Sequence, residues 1–455
     1  MAKPQTVIII GAGISGLAAA AELGKAGLRV IMLEARNRIG GRVYTRRDPA
    51  SGAPIEMGAE FIHGKPPEIW DLLQGGDVPI TEVEGQNWCH SDGQLSPCSF
   101  FEDVNEILEG MDDDSLPDES FLSYLQRRFP NPSHASRLEE AKRRAIDYVS
   151  GFNAADPALV GVHWLVAEMR AEEKIQGDRA FRSKNGYADL LEIFQDQIGR
   201  SNVEVRTGTV VETVAWKPRA VEIIASNENQ RIKLSAKHVL ITLPVSLLKI
   251  AKGPGAVDFI PPLPADKMAA LDKIEMGKVI RVEISFRHRF WENIFPANGH
   301  GATPGKKNLS NMSFLFSEDK LFPTWWTRMP QRDPIITGWA PFQSAERLAG
   351  LNHSQITHRA LQSVSRLLKV DAQDLESWLN AAYVHDWEAD PYSRGAYSYG
   401  KVGAVEAQQV LARPIEHTLF FAGEATDTTG NNGTVHGAIA SGHRAATEII
   451  KASHF

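Results

Sequence analysis

The stretch from residue 6 to residue 34 constrains the fold more than any other part of the chain. It reads TVIII, then GAGISG, then LAAAAELGKAG, and it ends in LRVIMLE. A β-branched run favours a strand, alanine and leucine at helical spacing favour a helix, and the second apolar run favours another strand. The order predicts a strand–helix–strand unit of about 30 residues with parallel strands.

The glycines of this unit predict a nucleotide site. Gly11, Gly13 and Gly16 match the pattern G-x-G-x-x-G, and Ser15 lies inside it. The first glycine allows a tight turn, the second lets the backbone approach a pyrophosphate, and the third lets the helix pack on the strand. The helix N-terminus adds N–H donors and a partial positive charge. Glu34 ends the second strand, where a carboxylate accepts hydrogen bonds from ribose hydroxyls.

Two further glycine-rich stretches favour FAD over a nicotinamide dinucleotide. The first, EARNRIGGRVYT, follows the ribose acid and places Arg36 and Arg42 beside a glycine pair. The second, GEATDTTGNNGTVHGA, lies near the carboxyl end and enters a helix. Together they offer more phosphate and ring contacts than a nicotinamide site usually has, which suits a longer cofactor.

The composition limits which binding partners and which cellular compartment we expect. The 455 residues are 43% hydrophobic and 23% charged, as in a soluble globular protein, and the net charge of −7 gives no indication of a nucleic-acid or membrane partner. Cys89 and Cys98 lack metal-ligand spacing and could form at most one disulfide, which favours a reducing compartment. The amino end has no apolar leader, and no apolar run reaches about 18 residues. We therefore predict a cytoplasmic protein without a metal site.

Four stretches together resemble the flavin-dependent amine oxidases, a group that includes monoamine, polyamine and L-amino-acid oxidases and the flavin histone demethylases. They are VIIIGAGISGLAAAAELGKAGLRVIMLEARNRIGGRVYT, EMGAEFIHG, HVLITLP and LFFAGEATDTTGNNGTVHGAIASGHRAA. The resemblance implies an α/β fold (α+β overall) with a Rossmann-like FAD-binding domain and a substrate-binding domain of mixed sheet and helices. We assign residues 1–80, 196–260 and 386–455 to the first domain, and residues 81–195 and 261–385 to the second.

The resemblance also implies the cofactor contacts. Gly11, Gly13 and Gly16 would hold the pyrophosphate and Glu34 the adenosine ribose. The remaining contacts would be Ala35, Arg36, Gly41 and Arg42 in the phosphate and flavin-side loop, Gly58, Ala59 and Glu60 beside the isoalloxazine, Val211 at the adenine, Trp387 near the flavin, and Gly423, Glu424, Thr434 and Val435 at the last helix. Some family members attach FAD through a cysteine just before an active-site tyrosine. Ala396 occupies that position here, so we predict non-covalent FAD.

On the substrate side, the resemblance assigns catalytic positions to Tyr397, His63 and Thr434. Family members often hold the amine between two aromatic rings, and Tyr397 matches the first ring. Thr434 stands where the second ring would be, as in animal polyamine oxidases, which also share IHG at His63. Tyr397 could instead be a packed side chain with its hydroxyl bonded, and His63 a loop histidine. We expect His436 to orient backbone, and the tryptophans Trp325, Trp326 and Trp339 to belong to the core.

Arg281 is the main departure from the family pattern. The stretch GKVIRVEISFRHRFW predicts a strand in which Arg281 and Lys278 point to opposite faces. In the family, a lysine nine residues before the Phe of an FW pair bridges to flavin N5 through a water, and that count from Phe290 reaches Arg281. Lys278 would lie at the strand entrance in solvent. A guanidinium keeps its charge, so Arg281 either holds the water or a substrate carboxylate, or pairs with an acid and slows the reaction with O2.

The predicted function is FAD-dependent oxidation of a polyamine-like or other aliphatic amine. Hydride passes from the α-carbon to flavin N5, the imine is hydrolysed, and O2 reoxidises the flavin to give H2O2. Two alternatives stay open. One is an FAD dehydrogenase or desaturase of a non-amine or amino-acid-like substrate on the same fold, and the other is a non-catalytic FAD-bound module. The sequence does not predict the oligomeric state.

Overall fold

The structure is a computed structural model that describes residues 5–112, 117–130, 136–228, 230–296 and 308–454. Within these ranges the helices are α1 (Ile14–Lys25), α2 (Pro67–Gly75), α3 (Phe100–Leu108), α4 (Phe121–Arg128), α5 (Ser136–Gly151), α6 (Val162–Lys174), α7 (Ala188–Gly199), α8 (Val245–Lys249), α9 (Ala265–Asp272), α10 (Gln343–Leu348), α11 (His353–Leu368), α12 (Ala372–Trp378), α13 (Val405–Ala412) and α14 (Val435–Ser453). Short 3-10 helices span Phe290–Asn293, Leu309–Asn311 and Glu424–Thr426.

The strands of the described residues lie in six sheets. They are β1 (Thr6–Ile10), β2 (Arg29–Leu33), β3 (Thr45–Arg47), β4 (Pro54–Glu56), β5 (Ile62–His63), β6 (Ile80–Glu82), β7 (Gln86–Ser91), β8 (Gln94–Pro97), β9 (Ala180–Ser183), β10 (Val203–Arg206), β11 (Thr209–Lys217), β12 (Ala220–Asn227), β13 (Gln230–Ala236), β14 (His238–Ile241), β15 (Asp258–Ile260), β16 (Ile274–Met276), β17 (Val279–Phe286), β18 (Met312–Ser317), β19 (Thr324–Thr327), β20 (Ile335–Pro341), β21 (Leu379–Asp386), β22 (Ser398–Gly400) and β23 (Leu419–Phe421).

A five-stranded parallel sheet contains the predicted strand–helix–strand unit. Its order is β10-β2-β1-β14-β23, and β1 pairs with β2 from Thr6 opposite Arg29 to Ile10 opposite Leu33. β1 is apolar at almost every position because both faces of a parallel sheet are covered. Helices α1 and α14 pack together, and a Cβ on Gly442 would lie 2.4 Å from the Ser15 carbonyl oxygen. The last helix is therefore held against the first.

Helix α7 belongs to this unit, although most of it falls inside the predicted substrate-binding range 81–195. Its apolar residues Leu190, Phe194 and Ile198 share one core with the alanine-rich face of α1. The amphipathic pattern of ADLLEIFQDQIG predicted a helix but could not show which sheet it covers. The domain boundaries stay predictions.

A seven-stranded mixed sheet forms the second large layer, with the order β21-β17-β20-β19-β18-β7-β8. Strand β17 is antiparallel to both neighbours, β20 and β21. Ile280, Val282 and Ile284 on one face join the core beneath α11, as strand parity predicted. Arg281 and Glu283 point to the other face, towards residues 48–60. The mixture of parallel and antiparallel sheets with helices agrees with the predicted fold class.

Cys89 and Cys98 are joined in a disulfide across the β7–β8 hairpin. Disulfides are rare in cytosolic proteins, so the cysteines no longer support a reducing compartment, and the cytoplasmic location stays a prediction. Among the described residues, no helix is both long and apolar enough to cross a bilayer.

Candidate active site

The glycine-rich loop and Glu34 form the nucleotide end of the site. Gly13 precedes α1 with extended backbone dihedrals, and its carbonyl accepts the first helical hydrogen bond, from Leu17 N at 2.9 Å. Glu34 Oε2 accepts from Ala12 N at 2.8 Å, and its Oε1 accepts from Arg36 N at 2.9 Å, with Ala35 between. These bonds fix the carboxylate beside the loop, and each oxygen keeps a lone pair for a ribose hydroxyl.

The space around these glycines fits a pyrophosphate. A Cβ on Gly16 would lie 2.2 Å from the Gly11 carbonyl oxygen, so only glycine allows this helix–strand contact. A Cβ on Gly13 would meet nothing closer than the α-carbon of Gly41, at 4.0 Å. The protein therefore leaves open space in front of Gly13, next to the N–H groups of α1.

The two arginines of the second glycine cluster bridge to the carboxyl-terminal part of the chain. Arg36 Nη2 lies 2.5 Å from Asp390 Oδ1, and Arg42 Nη1 lies 2.7 Å from Glu424 Oε1. Arg42 Nη1 also donates to the Ala396 carbonyl at 2.9 Å. The structure thus brings the predicted residues together, and their phosphate and flavin contacts stay predictions.

The loop before α14 is held by Glu424 and Thr434. Glu424 Oε2 accepts from Ser398 Oγ at 2.5 Å and from Gly433 N at 3.1 Å. Thr434 caps the helix that begins at Val435: its hydroxyl accepts from Gly437 N at 3.0 Å and donates to a loop carbonyl. Gly423 precedes this loop and donates its N–H to the Ser441 hydroxyl at 3.0 Å. Thr434 therefore positions the helix N-terminus.

The predicted flavin-side segment lies between Arg42 and Trp387. A Cβ on Gly58 would lie 1.9 Å from the Arg42 carbonyl oxygen and 3.0 Å from the Trp387 ring. Ala59 N donates to the Arg42 carbonyl at 3.3 Å, and Trp387 Nε1 donates to the Met57 carbonyl at 2.9 Å. Val211, predicted to meet the adenine, is buried beside an irregularity in β11.

Arg281 is buried and pairs with two carboxylates. Its Nε donates to Glu283 Oε1 at 2.8 Å, its Nη2 contacts both Glu283 and Glu60, and its Nη1 donates to the Gly58 carbonyl at 3.0 Å. Burial opposes the charge, but Glu283 and Glu60 outweigh it and raise the pKa of the guanidinium. Of the two explanations for Arg281, pairing with an acid is the one that agrees with this geometry. Lys278 lies outside, with 37% of its side chain exposed, and pairs with Glu346 at 3.0 Å.

Tyr397 occupies the predicted substrate wall and is hydrogen-bonded. Its hydroxyl donates to the Phe152 carbonyl, and its side chain packs against the apolar cluster that contains Trp387 and Ala396. Burial first, and the Glu168 carboxylate second, raise its pKa well above the usual value. This geometry agrees with a tyrosine that forms a wall of the substrate site, and it agrees equally with a tyrosine that only packs inside the protein.

A known protein family matches nearly the whole chain. A sequence model described as "Flavin containing amine oxidoreductase" matches residues 14–450. The chain belongs to this family. Membership confirms the predicted fold class, the enzyme class and FAD as the cofactor. Because both cysteines are in the disulfide and Ala396 has no nucleophile, no cysteine thiol is free to attach the flavin.

The relatives of this flavin-containing amine oxidoreductase include histone demethylases and polyamine oxidases. Lysine-specific histone demethylase 2 of Homo sapiens is 26% identical, over 98% of this chain and 53% of that protein. Polyamine oxidase 4 of Oryza sativa subsp. japonica is 26% identical, over 99% of this chain and 89% of that protein. The chain spans about half or less of the length of the first histone demethylases it matches. Wild-type putrescine oxidase bound to putrescine shares the fold, with a TM-score of 0.79 at 20% identity over 99% of each chain.

Two histidines lie near the N-terminus of α14 in this oxidoreductase. His63 is exposed, but neighbouring protein atoms keep part of its ring out of water, and this lowers its pKa. His436 is buried, and burial followed by the neighbouring His63 lowers its pKa to about 3. His436 Nε2 lies 3.1 Å from Asn431 Oδ1, so it orients the loop before the helix. Both rings are neutral near pH 7.

The sequence did not lead us to predict several residues of the site. Glu168 on α6 accepts from Trp164 Nε1 at 2.7 Å and from Asn153 Nδ2 at 3.0 Å. Burial first, and Glu172 second, raise the pKa of Glu168 to about 8. The spacing of Glu168 and Glu172 puts both on one side of α6, but nothing local indicated that Glu168 is half-buried there. Glu283 could have been found, because strand parity places it beside Arg281.

The tryptophans divide between core and site. Trp325 is fully buried beneath α11, as expected. Trp326 is buried too, but its Nε1 donates to Glu60 Oε2 at 3.0 Å, and its ring lies 5.7 Å from that of Trp339. Trp339 packs against the same apolar cluster as Tyr397, so Trp326 and Trp339 both touch residues of the candidate site.

Proposed function

We propose that this chain oxidises an aliphatic amine that carries a second amino group, such as a diamine or polyamine. Amine, O2 and water would give a carbonyl product, H2O2, and either ammonia from a primary amino group or a shorter amine from a secondary one. The observation that carries this proposal is that Tyr397 packs against the cluster that contains Trp387 and Ala396 and is also close enough to the half-buried Glu168 carboxylate for that carboxylate to raise its pKa. FAD, when bound, supplies the hydride acceptor.

The side chains would bind and orient the amine. The Tyr397 ring offers an electron-rich face to the amino group that reacts, and the aromatic surroundings exclude water. Neutral His63 and His436 add no positive charge that would repel the substrate. Glu168, held by Trp164 and Asn153, would accept a hydrogen bond from the distal ammonium. A bound cation favours the ionised carboxylate and lowers its pKa below the value of about 8 in the empty site.

Replacing Glu168 with glutamine is expected to weaken diamine use selectively. The loss of one charge-assisted hydrogen bond should lower kcat/KM for a diamine about tenfold and leave a monoamine of the same length within about twofold. The measurement is kcat/KM for both substrates in both proteins. Glu173→Gln is the matched control, because Glu173 lies on the same helix but is exposed. Equal losses for the two substrates would show that Glu168 does not bind the distal amino group.

Replacing Tyr397 with alanine is expected to raise KM for amines. Losing the ring removes an aromatic contact with the amine, which at a dry site corresponds to an increase of about tenfold. Tyr397→Phe keeps the ring and should retain most of the affinity, because the hydroxyl is bonded to the Phe152 carbonyl. Steady-state kinetics of both variants separate the two interpretations of this residue: unchanged kinetics in Tyr397→Ala would leave it only a packing role.

A second candidate function is an amine dehydrogenase that uses an acceptor other than O2. The observation that favours it is the pairing of Arg281 with Glu283 and Glu60, which leaves no titratable amine at the position of the family lysine. Flavin reoxidation in air and with an artificial acceptor distinguishes the two candidates.

A further inference from the structure

The face of β17 that points towards the flavin-side segment carries a second charged residue, Glu283. Its Oε1 accepts from Arg281 Nε at 2.8 Å and from Thr337 Oγ1 at 3.0 Å. Thr337 lies directly opposite in β20, and Tyr383 lies opposite in β21. Because β17 is bonded on both sides, the backbone under Arg281 and Glu283 is fixed, and Glu283 sets the direction of the guanidinium.

Arg281 in turn fixes one peptide group of the flavin-side segment. The Gly58 carbonyl accepts from Arg281 Nη1 at 3.0 Å, and the N–H of the same peptide, on Ala59, donates to the Arg42 carbonyl at 3.3 Å. Both polar groups of the Gly58–Ala59 peptide are therefore held, from opposite directions. A Cβ on Gly58 would collide with the Arg42 carbonyl oxygen, so the backbone at Gly58 passes close to Arg42 and Trp387.

Buried ion pairs surround this peptide. Glu60 Oε1 accepts from Arg182 Nε at 2.7 Å, and its other oxygen contacts Arg281. Two buried carboxylates, Glu60 and Glu283, thus face two buried guanidinium groups, Arg182 and Arg281. Burial alone would raise the pKa of Glu60, but Arg182 and Arg281 lower it to about 2. Removing Glu283 alone would leave an uncompensated positive charge.

We propose that Glu283 is a positioning residue for the cofactor: it aims Arg281 at the Gly58 carbonyl and thereby fixes the Gly58–Ala59 peptide against which the flavin binds. The role of Glu283 rests on the proposed position of the flavin beside Gly58. Glu283 touches neither cofactor nor substrate and acts through Arg281.

The test compares folding and FAD affinity in the double variant Arg281→Met/Glu283→Leu. Apolar residues often replace a buried ion pair without loss of stability, and this change removes one charge of each sign. We expect a Tm of the apo-protein near that of the wild type, but an FAD dissociation constant about tenfold higher, because the Gly58 peptide is released. FAD affinity is measured by flavin fluorescence during titration of apo-protein. Ser285→Ala, on the same strand face but in contact with Asp48, is the control and should bind FAD like the wild type.

Glu283→Asp provides the same test if the double variant does not fold, because it keeps every charge and only shortens the reach to Arg281. An FAD dissociation constant equal to that of the wild type in whichever of these variants folds would overturn the role of Glu283. A failure of the proposed function would give a different result from a failure of the role of Glu283. Wild-type protein would then bind FAD, but no amine would reduce the bound flavin.

Discussion

Replacing Gly13 with valine is expected to leave the fold intact and to abolish FAD binding. A Cβ at Gly13 meets no protein atom nearer than the Gly41 α-carbon, at 4.0 Å, and the extended dihedrals of Gly13 suit valine. The change at a helix N-cap should lower the free energy of unfolding by no more than about 1 kcal/mol. The same side chain would fill the space predicted for the pyrophosphate, so the FAD dissociation constant should rise by at least about 100-fold.

Flavin absorbance of the purified variant and thermal unfolding of its apo-protein measure the two expected effects separately. Gly199→Val is the matched control, because Gly199 ends α7 and a Cβ there also meets nothing within 4 Å. Gly16→Val should behave differently and destabilise the fold, since its Cβ would collide with the Gly11 carbonyl. A Gly13→Val protein that is yellow and binds FAD like the wild type would contradict the nucleotide site.

Replacing Arg281 with lysine is expected to change the reaction with O2 more than the reaction with amine. A buried lysine can lose its proton and donate or accept through a water, which a guanidinium bound to Glu283 and Glu60 cannot do. We expect flavin reoxidation to become about 100-fold faster, the lower end of the range of general acid–base assistance, and flavin reduction to stay within about threefold. Some stability is lost, about 1–3 kcal/mol, because one ammonium replaces fewer hydrogen bonds than the guanidinium makes.

Stopped-flow measurements of the two half-reactions test this expectation directly. Lys278→Arg is the control, because Lys278 is the other cation of the same stretch and pairs with Glu346 and Glu388 at the surface. If neither the rate of reoxidation nor the choice of substrate changes in Arg281→Lys, the position has only a structural role.

The nucleotide end could be predicted from the sequence because its determinants are local. The strand, the glycine loop and the helix follow one another within residues 6–34, and their periodicity identifies each element. Parity within β17 also placed Arg281 on the correct face. These features depend only on residues that are close together in the chain, so they can be read directly from the sequence.

The rest of the site depends on contacts between distant residues. Arg281 meets Glu60 across 221 positions and Arg182 meets Glu60 across 122, so no local pattern reveals that they form one buried network. Glu168 lies on an amphipathic helix whose buried side depends on what packs against it. The disulfide between Cys89 and Cys98 likewise depends on the hairpin that brings the two side chains together.

Anaerobic mixing of the FAD-bound protein with single amines tests the proposed function most directly. The panel comprises diamines and polyamines, monoamines of matched length, amino acids, and a methyl-lysine peptide, included because histone demethylases are among the relatives. We predict that the flavin absorbance near its visible maximum bleaches fastest with diamines or polyamines, and that it returns on exposure to air with release of H2O2. Failure of every amine to bleach a fully loaded flavin would contradict amine oxidation at this site.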